Sequence, residues 1–553
     1  MFSNSYKLII GLILLSTGFY ACQNNTASNN VTSPAAIKGS HPMIANSETA
    51  KTTTESGDVI GYIHKGIFNY KGIPYAKAER FMPPEKPDKW DGVRSCRSYG
   101  PVCPIDVESM ILFDEMEFAQ QHNFWYMKDA CNNLNVWSPA INDGKKRPVM
   151  VWLHGGGYTA GSSCELPSYD GENLSRTGDV VVVSINHRLN VLGFLDLSAV
   201  NEKYAQSANV GMMDVVAALQ WVHDNIENFG GDPANVTIFG QSGGGGKVAT
   251  MLYTPSAKGL FHKAIMQSGV AGRYSTREQT QKIGLAIMEE LGLKKAEVDK
   301  LKDLPYEELL AAGNRAVAKT QESGFGRLGW APSCDGEFIP LQPGDPGAEE
   351  LSKGIPLIIG SNQVEFGSFG NQDLLQADEA TVINKLNDRF KDKTEEYVAA
   401  YKKAYPSTKL PSDMLDVDVM FRPMLLHFAN IKSSVSGGAP VYNYVFKWNA
   451  PHLNGLLKSS HCMELAFVFN NIARTEEYNA GTPEAYALAD KMSKTWATFA
   501  YTGNPNNEAI PTWEPFTPEG GATFLWDNET ELVHNHDKEL LTVATSVPPV
   551  SPF

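Results

Sequence analysis

The sequence predicts an α/β fold, a large and mostly parallel central sheet flanked by helices. Three observations carry that expectation. Short Val- and Ile-rich runs bounded by turn residues recur at 134–137, 148–153, 180–185, 236–239, 263–267, 356–360 and 441–448. Several are apolar without alternation, which suits strands buried on both faces of a parallel sheet. Between the runs lie segments of helical periodicity, at 210–227, 246–253 and 486–501. Strands alternating with helices mean α/β.

The N-terminus comes first in the chain. Lys7 precedes an apolar run at 8–15, and Ala21-Cys22 follow a few residues on. That layout predicts a secretory signal peptide over 1–21, because the run is too short to span a bilayer. Phe19 spoils the outer small-residue position of a general cleavage site. Ala21-Cys22 resembles instead the junction of a bacterial lipoprotein, whose cysteine becomes lipidated, although Phe19-Tyr20-Ala21 is an imperfect match. The expectation is a chain carried across the inner membrane and anchored through Cys22. Free secretion to the periplasm or exterior is the alternative. Residues 22–56 are rich in Asn, Ser, Thr and Ala, too poor in apolar surface to offset their ordering entropy, and read as a disordered tether. The folded domain is expected over 57–553, opening with an antiparallel hairpin at 59–63 and 66–70.

Two stretches, 276–321 and 374–434, break the strand–helix rhythm. They are charged and helix-rich, and read as excursions that cap the strand ends and shape a substrate gorge. The whole chain of 553 residues has ordinary globular composition, 42% hydrophobic and 20% charged. Its net charge of −15 argues against nucleic acid or an anionic membrane surface as partner. Solubility is the first reading of that charge, and attraction of cationic substrates the second.

Chemistry concentrates at Gly240-Gln241-Ser242-Gly243-Gly244, where a strand pattern runs into a helix pattern. This is the nucleophile-elbow motif, which aims Ser242 at the N-terminus of the following helix. The run from Gly243 to Gly246 costs about 0.8–1 kcal/mol per residue against alanine inside a helix. Such a local conflict is expected where backbone must approach a ligand or a strand closely. A second motif, His154-Gly155-Gly156-Gly157, ends the strand at 148–153 and matches an oxyanion-hole loop. Gly156, Gly157 and Gly243 are the expected N–H donors, and His154 is read as a structural support.

These motifs bring the chain within reach of a known family. It resembles the type-B carboxylesterases, which include the cholinesterases and the bacterial para-nitrobenzyl-esterase-like members, from about residue 57 onward. The matching segments include Gly72-Ile73-Pro74-Tyr75-Ala76, Asn135-Val136-Trp137-Ser138-Pro139, Asn186-His187-Arg188-Leu189, Phe229-Gly230-Gly231-Asp232-Pro233 and the elbow itself. The resemblance implies the α/β-hydrolase fold and hydrolysis of small-molecule carboxylic esters through an acyl-enzyme at Ser242, without cofactor or metal. It implies Glu365 as the triad acid, with the family's following glycine displaced by Phe366 and with Asp373 as fallback. It implies His461 as the base, through His461-Cys462-Met463-Glu464, with His452 a weaker rival. It also implies a buried ion pair between Arg188 and Asp214. Alanine usually follows the nucleophile in the family. Gly243 here could widen the site or loosen the donor.

Seven cysteines remain to be placed. Cys22 belongs to the lipid reading. Cys103 and Cys131 flank a loop and match the family's first disulfide, with Cys96 a rival partner. Cys164, Cys334 and Cys462 read as buried or half-buried thiols. The family also has non-catalytic adhesion members, the neuroligins, but these lack the serine that Ser242 supplies. Trp125 lies in the cysteine loop without the cholinesterase segment around it, which disfavours acylcholine specificity.

Overall fold

The computed structural model describes residues 43–547, apart from 112–113, 271, 323–328, 368–371 and 409. Its central sheet is made of β1 (Met43–Ile44), β2 (Tyr62–His64), β3 (Ile67–Pro74), β4 (Asn133–Ser138), β5 (Arg147–Leu153), β6 (Val181–Ile185), β7 (Gly231–Gln241), β8 (Lys263–Gln267), β9 (Leu357–Asn362), β10 (Val441–Phe446), β11 (Ala522–Trp526) and β12 (Glu531–His534). The spatial order is β1-β2-β3-β4-β6-β5-β7-β8-β9-β10-β11-β12. Pairing is parallel from β6 through β11. The two margins are antiparallel.

Period-2 alternation explains why the apolar runs occupy the middle. In β5, Val149, Val151 and Leu153 enter one hydrophobic cluster while Met150 and Trp152 enter another. In β6, Val181, Val183 and Ile185 face the first cluster and Val182 the second. A strand with apolar side chains on both faces is stable only between two packed layers. Those layers are helical. The helix α1 (Val210–Asn225) buries Met212, Val215, Leu219 and Val222 in the first cluster. The second cluster takes Leu488, Met492, Trp496 and Phe499 of a long C-terminal helix, Pro483–Thr502. That helix starts where Thr482 Oγ accepts the Ala485 N–H at 3.2 Å. It stops at Gly503, whose φ of 75° closes the last turn.

Helix α2 (Gly243–Leu252) follows the elbow. The two expected excursions are helical. The first holds α3 (Arg277–Glu290) and α4 (Tyr306–Glu322), and the second α5 (Glu379–Phe390), α6 (Thr394–Ala404) and α7 (Phe421–Ser433).

Three expectations shift. Ordered structure begins before residue 57. Met43–Ile44 pairs with β2, and Lys51–Thr54 pairs with Gly57–Ile60 in a separate small sheet, so the end of the expected tether is built into the domain. The hairpin at 59–63 and 66–70 splits at Gly61, where the backbone runs so close to Asn69 that a Cβ would lie 2.0 Å from its carbonyl oxygen. Only Tyr62–His64 pairs with β3, while Gly57–Ile60 turns away into the small sheet. Strands β11 and β12 are additions. Their runs, of five and four residues, are too short to make a long apolar pattern. The signal-peptide, lipidation (Cys22) and most of the tether expectations lie outside the described residues.

Candidate active site

Strand β7 ends at Gln241 and α2 starts at Gly243, which leaves Ser242 alone at the turn, with φ 56° and ψ −125°. A non-glycine residue held in such a region costs on the order of 1–3 kcal/mol and persists only where its surroundings fix it. Here Ser242 N–H donates to Gln267 O at 2.8 Å, and Ser242 O accepts from Gly246 N–H at 3.1 Å. Backbone from β8 also presses on the turn. A Cβ on Gly269 would sit 1.8 Å from the Ser242 carbonyl oxygen.

The glycine loop after β5 lies against the same turn. Gly156 and Gly157 have φ of 81° and 63°, a conformation that costs side-chain-bearing residues dearly. A Cβ on Gly243 would fall 2.2 Å from Gly157 O and 2.4 Å from Gly157 N. Gly243 therefore answers the question its identity raises. The loop packs so closely on the start of α2 that a methyl there would collide with it. Among the described residues, the N–H groups of Gly156, Gly157 and Gly243 have no backbone acceptor. His154, buried beneath the loop, stacks on His187 with ring centroids 5.2 Å apart, which agrees with a supporting role.

The other two expected residues come from loops after β9 and β10. Glu365 has φ 55°, and its carbonyl accepts the His461 N–H at 3.1 Å. This stitches the two loops together. Side chains then meet: His461 Nδ1 lies 2.5 Å from Glu365 Oε2, while Asn362 N–H donates to Glu365 Oε1 at 2.8 Å. Burial pushes the Glu365 carboxyl up to about 8 and the His461 imidazole down to about 4, in the latter case against the pull of Glu464 and Asp418. The histidine shift favours a neutral resting imidazole. Desolvation and the nearby Glu365 also raise Glu464 and Asp418, each to about 7. His461 is thus ringed by three buried carboxyls. The fallback acid Asp373 is exposed, and His452 turns away to the Glu476 carbonyl at 2.7 Å.

Several neighbours have no role assigned to them by the sequence. Phe366 and Phe421 pack on the His461 ring with centroid distances of 4.4 and 5.2 Å, the second nearly parallel at 9°. Phe366 stands where the family's glycine is displaced, and Phe421 comes from the second excursion. Gln241 Nε2 lies 3.3 Å from both ring nitrogens of His461. Its Oε1 accepts from the Cys462 thiol at 3.2 Å. Gln241 and Cys462 are sequence neighbours of Ser242 and His461, so adjacency alone could have flagged them.

Ser242 and His461 line one pocket of about 180 Å³. Its wall is apolar at Met110, Met116, Leu166, Tyr169 and Phe366, and polar at Glu117, His122 and Glu165. Part of this wall comes from the cysteine loop, beyond the excursions that the sequence singled out. At the base of that loop lie the expected disulfide partners, Cys103 and Cys131. Both residues are buried free thiols. A hydrogen bond with Cys103, together with burial, pushes the Cys131 thiol up, so the two groups are close neighbours. Cys103 Sγ meanwhile accepts the Leu189 N–H at 3.3 Å. Cys96 is buried as a separate free thiol. The Arg188–Asp214 pair is present and buried, with contacts of 2.8 and 2.7 Å from Nε and one Nη.

Known proteins place this geometry. The Carboxylesterase family matches residues 48–542. The para-nitrobenzyl esterase of Bacillus subtilis is 36% identical over 493 residues, covering 88% of this chain and 96% of that protein. A human cocaine esterase is 33% identical, covering 84% and 86%. A solved Clostridium hathewayi esterase, described as able to hydrolyze aliphatic aromatic polyesters, superposes with a TM-score of 0.84 at 38% identity over 92% of this chain and all of that one. A thermophilic para-nitrobenzyl esterase superposes with a TM-score of 0.73 at 34% identity, covering 89% and 99%. With the family model matching residues 48–542 and these relatives covered over most of their length, the chain belongs to the Carboxylesterase family and is a carboxylic ester hydrolase.

Proposed function

We propose that Ser242, His461 and Glu365 are the catalytic triad and that this carboxylesterase prefers small aromatic esters. The observation that carries the reading is the contact of Glu365 with His461 Nδ1, made at the pocket that Ser242 lines. His461 Nε2 takes the Ser242 proton as the oxygen attacks the ester carbonyl. Glu365 holds the tautomer and stabilises the imidazolium that forms. The N–H groups of Gly156, Gly157 and Gly243 receive the tetrahedral oxyanion. His461 then returns the proton to the departing alcohol, and water repeats the sequence on the acyl-enzyme. Preference for an aromatic group is supported by the small pocket and its Tyr169, Phe366 and methionine walls. The names of the para-nitrobenzyl and polyester-hydrolysing relatives lean the same way. Ser242→Ala is expected to abolish p-nitrophenyl acetate hydrolysis, and near-full turnover by that variant would refute the assignment.

Two further readings concern the exported protein. Cys103 and Cys131 join as a disulfide once the chain reaches an oxidising compartment, since buried neighbouring thiols need little movement to pair. Cys22 carries a lipid that tethers the enzyme to the membrane. Intact-mass measurement of the exported chain tests both, through two lost hydrogens and an added diacylglyceryl group.

A further inference from the structure

One charged residue near the active site has no place in that mechanism. Lys247 lies on α2, five positions after Ser242, and is fully buried. It does not line the pocket but sits behind the glycine loop. There its Nζ donates to the His154 carbonyl at 2.9 Å. Among the described residues no carboxylate comes within ion-pair distance of Nζ. Its main counter-charge is Glu165 at longer range, and desolvation lowers the ammonium to about 7. A lone buried lysine is an expensive way to fill space. A methionine would pack as well.

What Lys247 holds explains its presence. The His154 carbonyl belongs to the peptide that opens the glycine loop, directly before Gly155, Gly156 and Gly157. All three glycines lack side chains that could lock the loop by packing, and two of them take positive φ. The same helix, α2, leaves no slack there. A Cβ on Gly244 would meet Leu153 O at 2.0 Å and His154 O at 2.9 Å. The carbonyl is thus clamped between α2 backbone and an α2 side chain.

We propose that Lys247 is a positioning residue of the oxyanion loop: its hydrogen bond to the His154 carbonyl fixes the peptide planes that aim Gly156 and Gly157 N–H at the tetrahedral oxygen. It acts through that bond, without touching substrate. The inference rests on the oxyanion role given to those glycines.

The test uses Lys247→Met and Lys247→Gln in the full-length protein. Active sites are counted by endpoint labelling of Ser242 with a fluorophosphonate. Values of kcat and KM for p-nitrophenyl acetate are then compared with Ki for an aryl trifluoromethyl ketone, which binds as a tetrahedral oxyanion. The expected result is at least a tenfold fall in kcat per labelled site and a matching rise in ketone Ki, with KM within about twofold. Gln retains a polar head one atom too short to reach, and decides the matter if the Met variant does not fold. A variant with a lowered melting temperature but unchanged kcat and Ki per labelled site would overturn the proposal and leave a merely structural lysine. Failure of Ser242 to label in the wild-type enzyme would instead refute the underlying site.

Discussion

Phe421 lies flat on His461, with ring centroids 5.2 Å apart and an interplanar angle of 9°. With Phe366 on the ring as well, it removes water from the imidazole. That desolvation is the main cause of the low imidazole value. A neutral His461 is the form that can accept the Ser242 proton, so the acid limb of the pH–kcat/KM profile belongs below the ordinary histidine value of about 6.5. Phe421→Ala admits water and relieves the desolvation. The acid limb should move upward, toward 6.5, and activity at pH 5 should fall more than activity at pH 8. A limb that stays in place means the ring's environment is set elsewhere.

Gly243→Ala tests the tight fit between loop and helix. Its new methyl would lie 2.2 Å from Gly157 O, so the loop must retreat and two donors lose their aim. Loss of one oxyanion donor costs about 10²–10³ in kcat. A fall in that range is expected, with KM little changed. Rates equal to wild type would mean that the loop accommodates the methyl and that the tight packing is incidental.

Asp214→Ala strands Arg188, which is buried and has its Nε and one Nη committed to that carboxylate. Breaking a buried pair in this way costs about 3–5 kcal/mol. Urea unfolding should show the loss as a lower midpoint, and an unchanged midpoint contradicts the pair's structural role.

Cys103 and Cys131 give a redox prediction. Closing the intervening loop stabilises by about 3 kcal/mol through the unfolded state. Enzyme kept under oxidising conditions should therefore melt at a higher temperature than the same protein treated with dithiothreitol. Cys103→Ala should melt alike under both conditions. Equal melting of the wild-type enzyme with and without reductant would show that the thiols stay free.

Much of this was legible in the sequence because it is written in backbone requirements. Ser242, Gly156, Gly157 and Gly243 sit where strand, turn and helix signals change abruptly, and positive φ or close approach leaves few residue choices. The continuous valines of β5 and β6 announced burial on both faces. Glu365 and His461 were legible only through family resemblance, since a loop carboxylate and a lone histidine have no local signature. What escaped was tertiary. Phe421 reaches His461 from an excursion without a motif, and Gln241 and Lys247 matter through partners distant in the chain. The fate of residues 43–56 escaped for a related reason. Polar threonines such as Thr52 and Thr54 are depleted of apolar signal, yet they bury against the domain by edge pairing.

The central claim is that Ser242 is a nucleophile activated by His461. Mass spectrometry of peptides from enzyme treated with a fluorophosphonate measures this directly. The account predicts one adduct, on Ser242, formed quickly in the wild-type enzyme and slowed by orders of magnitude in His461→Ala. An adduct on another residue, or equally fast labelling without His461, would contradict it.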